Sequence, residues 1–358
     1  MTGIGIIGCG RIAQRRHVPE YASHQKARLV GYFDYMPERG VALARTYGGR
    51  VYRTLEELFA DPAIDAVSIC AANNAHADLT VQALEAGKHV LCEKPMATTV
   101  EDCQRMLRAA EKSGKFLMIA QNQRYNTGHM RAKELIAQGA IGTPLTFKTS
   151  FCHGGPENWC RYENDDGEIQ RDIWFFDKNV ASMGAMADLG IHKVDLIQYL
   201  LDDEITEVTA KILTLDKRTS DGNLIELEDN ALCIYRMSKN IYGTMTVSWT
   251  NYGSEDNSTV IFGTKGVMRL YEHPDHTIAI STDRGDKIFY DLDVMMTNED
   301  QRQSGVIRAF VNAIEKGDYS DAADARSVNA LRAVLAGFES SREDRTILLR
   351  DFHPDPEN

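Results

Sequence analysis

The run Gly8-Cys9-Gly10-Arg11-Ile12-Ala13 follows a short apolar stretch and precedes a helical pattern. Glycines at its first positions allow a tight turn and the close approach of a pyrophosphate to backbone N–H groups at the start of the helix. A GxGxxA motif is weak alone, but between a strand and a helix it indicates a dinucleotide-binding turn. We therefore predict that Gly8, Gly10, Arg11 and Ile12 contact a dinucleotide cofactor.

Asp34 ends the second apolar run, 24 positions beyond Gly10. A carboxylate at this spacing is typical of the group that hydrogen-bonds the adenosine ribose and repels a 2'-phosphate. The next residues, Tyr35 and Met36, add no cation, although Arg39 could reach a phosphate. The pattern favours NAD over NADP, and the alternative for Asp34 is a turn-forming aspartate before Pro37.

The order of apolar runs predicts an α/β protein of two domains. Strand-like runs alternate with helical patterns in the first third, which indicates a parallel sheet covered on both faces. After Tyr125, a helical stretch gives way to a succession of short strands with turn residues between them. We predict a Rossmann NAD-binding domain over 1–123, and over 124–358 an α+β domain for substrate binding and oligomerisation with a large, mostly antiparallel open sheet.

Composition bears on location and partners. The 40 basic and 52 acidic residues give a net charge of −12 without a polybasic run, which disfavours nucleic acid and anionic membranes as partners. No apolar stretch approaches the roughly 20 residues of a membrane span. The seven cysteines are scattered and the first residues lack a secretory pattern, so we expect a cytoplasmic protein with reduced thiols.

Two further segments carry titratable groups. Glu93 and Lys94 end a candidate strand, at the edge where open parallel sheets bind ligands, and Pro95 disfavours helical geometry at Lys94. Asp188 and His192 are four residues apart, a spacing that puts both on one helical face. Oxidation of an alcohol carbon also releases the hydroxyl proton, and a histidine is a common acceptor, so His192 is the candidate base.

Each of these residues has a simpler interpretation. A Glu-Lys pair at a strand end is usually a solvated surface pair, and a lone histidine in an apolar helix is usually a core residue. A catalytic zinc is a further alternative, for which Cys152, His153 and Cys160 are the nearest cluster. Their spacing is not a recognised zinc pattern, so we predict no metal site.

Taken together, the motifs resemble the Gfo/Idh/MocA oxidoreductases, a family that includes glucose-fructose oxidoreductase and inositol dehydrogenase. The similarity spans nearly the whole chain. It rests on the GxGxxA motif, on the Ala71–His76 segment in place of Thr-Pro-Asn-x-x-His, and on AGKHVLCEKP and DLGIHKVD. Two departures are Ala71-Ala72 in place of Thr-Pro, and Ser182-Met183-Gly184 in place of a glycine cluster.

The resemblance implies roles for particular residues. Lys94, Asp188 and His192 would form the catalytic set: His192 exchanges the hydroxyl proton, Lys94 holds the substrate oxygen and tunes His192, and Asp188 orients both substrate and His192. The cofactor would also contact Asn73, His76, Glu93, Lys94 and Asn122. We expect aromatic and polar side chains to line the substrate pocket, namely Gln123, Arg124, His153, Trp159, Trp174 and Tyr252.

The expected activity is a reversible NAD-dependent oxidation of a ring hydroxyl of a sugar, glycoside or inositol. One alternative is a glycoside-cleaving enzyme that keeps NAD bound, oxidises a sugar C3 transiently and eliminates the aglycone. Another is a non-catalytic NAD sensor. The resemblance also implies a homodimer or homotetramer assembled through the open face of the second sheet.

Overall fold

The computed structural model describes residues 1–158, 173–295 and 303–352. Contacts along the chain divide it into two compact units. The first unit comprises Met1–Asn122 and Thr297–Val328, and the second comprises Gln123–Met296 and Asn329–Asn358.

The first unit contains a six-stranded sheet in the order β3-β2-β1-β4-β5-β6, with every neighbouring pair parallel. This order confirms the predicted Rossmann-like fold. Its strands are β1 (Thr2–Ile7), β2 (Ala27–Phe33), β3 (Arg50–Val51), β4 (Ala66–Ile69), β5 (His89–Cys92) and β6 (Leu117–Ile119). Its helices are α1 (Val18–Ser23), α2 (Pro37–Tyr47), α3 (Leu55–Ala60), α4 (His76–Glu85), α5 (Val100–Ser113) and α9 (Val306–Lys316).

Local sequence explains where two of these helices begin and where one ends. The hydroxyl groups of Thr54 and Thr99 accept hydrogen bonds from the N–H groups of Glu57 and Asp102, which caps α3 and α5. Helix α5 ends at Gly114, whose φ of 64° lies in the left-handed region that glycine adopts without strain. In the sequence, α3 joins β3 to β4, and α5 joins β5 to β6.

The second unit contains a nine-stranded sheet in the order β14-β13-β12-β11-β7-β10-β9-β8-β15. All neighbouring pairs are antiparallel except β7 and β10, so the prediction of a mostly antiparallel sheet is confirmed. Its strands are β7 (Pro144–Cys152), β8 (Ile205–Leu213), β9 (Asn230–Met237), β10 (Tyr242–Ser248), β11 (Thr259–Gly263), β12 (Gly266–Leu270), β13 (Ile278–Thr282), β14 (Lys287–Tyr290) and β15 (Ile347–Leu348). Its helices are α6 (Thr127–Ala137), α7 (Lys178–Ala181) and α8 (Ile191–Leu201), and α10 (Ala325–Glu343) crosses the boundary between the units.

Helix α9 joins the first unit, whereas the predicted division assigned all of 124–358 to the second domain. The ring of Phe310 stacks on Phe116 at a centroid distance of 5.6 Å, and Phe116 also stacks on Tyr319 at 4.7 Å. The hydroxyl of Thr2 donates a hydrogen bond to Glu315. These contacts join residues some 200 to 300 positions apart, so no local sequence pattern predicts them.

In the described part of the chain, no helix is both long enough and apolar enough to cross a bilayer.

The Phe310 contact predicts a stability effect. Because its ring is fully buried, Phe310→Ala should lower the free energy of unfolding by about 3–5 kcal/mol. Arg308→Ala, at an exposed position of the same helix, should change it by less than about 0.5 kcal/mol. Urea unfolding followed by circular dichroism measures both, and equal effects would contradict the placement of α9 in the first unit's core.

Candidate functional site

Five strands of the first sheet, β1, β2, β4, β5 and β6, end at one level. In the parallel register Ile7 pairs with both Phe33 and Ile69, Ile69 pairs with Cys92, and Cys92 pairs with Ile119. Each predicted cofactor segment begins directly after one of these residues. The register therefore brings the segments beginning at Gly8, Asp34, Cys70, Glu93 and Ala120 to the same carboxyl edge of the sheet.

Gly8 and Gly10 differ in what surrounds them. Gly8 has φ of 85°, and a Cβ built on it would lie 2.7 Å from the carbonyl carbon and oxygen of Cys70. A Cβ built on Gly10 meets no atom of the described structure within 4 Å. Gly8 is therefore required by the protein's own packing, whereas the space beside Gly10 is open to a bound group, as the predicted pyrophosphate requires.

The segment after Gly10 starts as a π-helical turn over Ala13–His17 and continues as α1. Arg11 and Ile12 precede this turn and are half-buried, so both lie at the start of the helical segment. Backbone N–H groups at such a position attract anions. The geometry suits the predicted dinucleotide turn.

The carboxylate of Asp34 is tied to the glycine-rich loop. One oxygen accepts a hydrogen bond from the N–H of Cys9 at 2.6 Å, and the other accepts one from Met36 at 2.8 Å. These bonds fix the carboxylate between the loop and the start of α2. Each carboxylate oxygen has a second lone pair, so Asp34 keeps the capacity to accept ribose hydroxyls.

Asn73, His76 and Asn122 lie at the same edge and are buried. The imidazole of His76 lies with Nδ1 2.7 Å from the carbonyl oxygen of Pro95 and Nε2 3.1 Å from that of Ala71. Burial lowers the pKa of His76. The ring thus joins the segment after β4 to the one after β5, a positioning contact that the sequence pattern did not indicate.

Each carboxylate oxygen of Glu93 has a hydrogen-bond partner in the first unit. One carboxylate oxygen is 2.8 Å from Nε2 of His17, and the other accepts the N–H of Lys94 at 3.0 Å. Burial alone would raise the pKa of Glu93, but the hydrogen bond from His17 and the charges of His17, Arg16 and Lys94 outweigh it and lower it to about 2. Glu93 therefore stays ionised and holds the backbone of Lys94, whose side chain is half-buried and whose bond to Pro95 is cis.

Asp188 lies within a second π-helical turn, Met186–Gly190, which continues directly into α8. The indole N–H of Trp249 donates a hydrogen bond to its carboxylate at 3.1 Å. His192 lies in the first turn of α8, with its ring 6.1 Å from that of Phe151 between centroids. Both titratable side chains are buried, at 8% and 7% exposure, on a segment that is wider at its start than the regular helix predicted from their spacing.

Gln123 and Arg124 were predicted to meet the substrate. The amide of Gln123 donates a hydrogen bond to Asn257 at 3.2 Å. Arg124 forms a bidentate pair with Asp195, with N–O distances of 2.7 and 2.5 Å. Asp195 is on α8, so this pair fixes the helix that carries His192.

Two other residues predicted to meet the substrate, His153 and Tyr252, lie outside the strands and helices, and Trp174 begins a short 3₁₀ helix, Trp174–Phe176. Nδ1 of His153 accepts the N–H of Gly155 at 2.9 Å, so its proton is on Nε2. Tyr252 is exposed and donates its hydroxyl hydrogen bond to Asp216 at 2.5 Å. Trp174 is partly exposed and packs on Phe175, and Trp159 lies outside the described residues.

Among the described residues, no group of three or more His, Cys, Asp or Glu side chains could hold a metal ion. Cys160, one member of the zinc alternative, lies outside them. The six described cysteines are free and buried.

One more group near the candidate base escaped the sequence patterns. Lys193 is fully buried, and its ammonium donates a hydrogen bond to the carbonyl of Asn257 at 3.0 Å. Burial lowers the pKa of Lys193 to about 7. In the sequence, Lys193 could have been noticed only as a charged residue in the apolar run of α8. In the structure, its ammonium contacts the backbone just before β11.

Two family models match the chain. Residues 2–121 match the model described as an oxidoreductase family with an NAD-binding Rossmann fold. Residues 129–269 match the GFO/IDH/MocA C-terminal domain.

Individual relatives are similar over differing lengths. The chain is 24% identical to myo-inositol 2-dehydrogenase of Thermotoga maritima over 351 residues, 97% of this chain and 98% of that protein. It is 31% identical to glucose-6-phosphate 3-dehydrogenase of Bacillus subtilis over 242 residues, 67% and 65% of the two chains. A solved structure of a putative myo-inositol dehydrogenase from Sinorhizobium meliloti superposes with a TM-score of 0.77 at 26% identity, covering 98% of this chain and all of the other.

The two glycines give a matched pair of variants. Gly8→Ala should destabilise the protein by more than about 1 kcal/mol even without cofactor, because the alanine would be strained and in contact with Cys70. Gly10→Ala should leave the unfolding temperature nearly unchanged and weaken NAD binding by at least about tenfold, since the added methyl occupies the space left for the pyrophosphate. Thermal unfolding and calorimetric titration with NAD separate the two effects, and unchanged affinity in Gly10→Ala would contradict the assigned cofactor position.

Proposed function

Because the chain belongs to the Gfo/Idh/MocA oxidoreductase family, we propose that it reversibly oxidises one ring hydroxyl of a sugar, glycoside or inositol. The first domain of the family is an NAD-binding Rossmann fold. The named relatives include dehydrogenases of an inositol and of a sugar phosphate. These names support a cyclic polyhydroxylated substrate.

Oxidation of a CH–OH group removes a hydride from carbon and a proton from oxygen. NAD, when bound, supplies the hydride acceptor. We assign the proton to His192, and the orientation of the substrate to Asp188. Lys94 holds the substrate oxygen through its ammonium, which favours the alkoxide character that develops as the proton leaves.

The observation that carries this proposal is the burial of Asp188 and His192 and the hydrogen bond that orients Asp188. Both are buried on one helical segment, and the indole of Trp249 holds the carboxylate of Asp188. Hydrogen bonds and charges act more strongly where water is excluded, so a buried and oriented pair is suited to exchange a proton with a hydroxyl. The surface-pair interpretation does not fit Glu93, which is buried, and the core-residue interpretation of His192 is tested by its alanine variant.

Polar groups of the second unit favour an uncharged ring. The guanidinium of Arg124 is neutralised by its bidentate contact with Asp195. His153 offers an Nε2–H donor, and Tyr252 offers an exposed ring. A hydrogen-bond donor and an exposed aromatic ring are groups that suit the hydroxyls and C–H faces of a sugar or inositol ring.

The first test measures NADH formation with inositols, free sugars, sugar phosphates and glycosides, with NADP in parallel. We expect NADH from one unphosphorylated class, and a fall in kcat of at least about a hundredfold in His192→Ala, since a lost general base costs that much. His276→Ala, a partly exposed histidine of the same unit paired with Asp291, serves as the control and should retain activity.

Two results would contradict the proposal. Full turnover by His192→Ala would remove the assigned base. Absence of NADH with every substrate, together with glycoside cleavage and NAD retained through purification, would identify the eliminating alternative instead.

We also propose that two copies associate through the open face of the second sheet. Leu232 and Ile234 point to the same face of β9 and are 53% and 54% exposed. Tyr242, on the neighbouring strand, is also exposed. Apolar side chains exposed side by side on a sheet mark a surface that another protein covers.

A charge on that face should disrupt the association. We expect Ile234→Asp to lower the molar mass in light scattering to that of one chain while circular dichroism stays unchanged. Leu224→Asp, at an exposed leucine outside the strands, should keep the larger mass. A monomeric unsubstituted protein would contradict this proposal without affecting the proposed reaction.

A further inference from the structure

The start of β9 and the end of β10 lie beside the start of the segment that carries Asp188 and His192. Asn230, the first residue of β9, pairs with Ser248, the last residue of β10. The ladder continues one residue further, because the N–H of Trp249 donates to the carbonyl of Asp229 at 2.8 Å. Trp249 therefore lies opposite Asp229, and Glu228 is the residue before Asp229 in the chain.

Glu228 receives three consecutive N–H groups at the start of the helical segment. One of its carboxylate oxygens accepts hydrogen bonds from Gly184 at 2.8 Å and Met186 at 3.0 Å. Its backbone carbonyl accepts the N–H of Ala185 at 3.0 Å. These donors have no partner inside the helix, and a negative group there is favoured by the helix dipole.

The fit around Gly184 leaves little freedom. A Cβ built on Gly184 would lie 2.1 Å from the carbonyl oxygen of Glu228 and 3.2 Å from the ring of Trp249. Ser182, two residues earlier, has φ of 66°, in the region that glycine favours. Ser182-Met183-Gly184 stands in place of the family's glycine cluster. Within it, Ser182 has the backbone conformation that glycine favours, and the position in contact with Glu228 is a glycine.

Trp249 completes the contact. Its side chain is fully buried and its N–H donates to Asp188 at 3.1 Å. Glu228 thus fixes the backbone before Asp188, and Trp249 fixes the carboxylate of Asp188 itself.

We propose that Glu228 and Trp249 are positioning residues that set the orientation of Asp188 and His192. This inference rests on the proposed function, in which those two residues meet the substrate. Glu228 and Trp249 do not themselves contact the reacting atoms. They act through the helical segment, and their loss misplaces the proton acceptor without removing it.

The charge state of Glu228 gives this contact a pH dependence. Burial raises the pKa of Glu228 to about 7, against the lowering effect of the N–H groups of Met186 and Gly184, and the charge of Asp229 adds to the rise. Asp229 is itself held by the N–H groups of Leu215, Asp216 and Lys217, and Asp188 lies across the indole of Trp249. The ionised carboxylate accepts the stronger hydrogen bonds, so positioning is strongest above neutral pH.

Activity measurements compare four variants. Glu228→Ala should lower kcat by about tenfold to a hundredfold with a smaller change in KM, because misplacement of the acceptor affects the reaction more than binding. Glu228→Gln retains an acceptor for both N–H groups, so it should recover most of kcat and lose the pH dependence near neutrality. Trp249→Phe should lower kcat by about tenfold, the effect of one hydrogen bond to a charged group. Asp203→Asn removes a buried carboxylate charge just beyond the other end of α8 and should change neither kcat nor its pH profile.

A second readout does not depend on turnover. In a Trp159→Phe/Trp174→Phe background, Trp249 is the remaining indole, and its fluorescence should titrate with a midpoint near the Glu228 pKa of about 7. Adding Glu228→Gln should abolish that titration. A titration that persists in Glu228→Gln would overturn the inference, whether or not a substrate has been found.

The two proposals fail differently. Absence of NADH formation by the unsubstituted protein counts against the proposed function alone, since the fluorescence titration still tests Glu228. Activity in the unsubstituted protein, matched in kcat and pH profile by Glu228→Ala and Glu228→Gln, overturns the positioning role and leaves the function intact. If Glu228→Ala does not fold, the pH profile and titration of Glu228→Gln decide the question.

Discussion

The hydrogen-bond register of the first sheet is the constraint on which its functional edge depends. Parallel strands place their carboxyl ends at a common level only if their lengths and register match, and Ile7, Phe33, Ile69 and Cys92 are matched in this way. Strands β1 and β4 are buried along their whole length, as parallel strands covered on both faces are, so packing on both faces holds them in this register. Core packing therefore brings the strand ends to one edge, and hydrogen bonds such as those of Asp34 and His76 then join the segments that follow them.

Two buried glutamates illustrate how surroundings decide the behaviour of one residue type. Glu93 faces His17, Arg16 and Lys94, which lower its pKa to about 2. Its ionised form adds stability above the unfolded value near 4.5, and this is lost as the pH falls toward 2. Burial raises the pKa of Glu228 to about 7, and the charge of Asp229 adds to the rise. Its contribution has the opposite sign: it is complete below pH 4.5 and lost as the pH rises through 7, so a tighter hold on the helical segment at high pH is gained at a cost in stability.

Local signals identified much of the fold but few of the contacts around the site. Strand-like runs that alternate with helical patterns predicted the parallel sheet, and short strands separated by turn residues predicted the mostly antiparallel sheet. Strand β7 is hard to predict from its sequence, because it runs from an exposed first half into a buried second half and lacks one consistent period. The unit to which α9 belongs was also not predictable, because it is decided by its contact with Phe116, far away in the sequence.

The predicted site residues follow motifs, yet the groups that orient them come from elsewhere in the chain. In the first unit, His17 lies on a π-helical turn and contacts Glu93. In the second, Asp188 lies on a π-helical turn and accepts a hydrogen bond from Trp249. A π turn inserts an extra residue into a helix, so it directs a side chain that regular periodicity would point elsewhere. Spacing rules assume the regular helix, which explains why the pattern of Asp188 and His192 indicated a helical face but not the turn that shapes it. At the second turn, Trp249 holds the carboxylate of Asp188, and Glu228 accepts the N–H groups of Gly184 and Met186 at the start of the same segment.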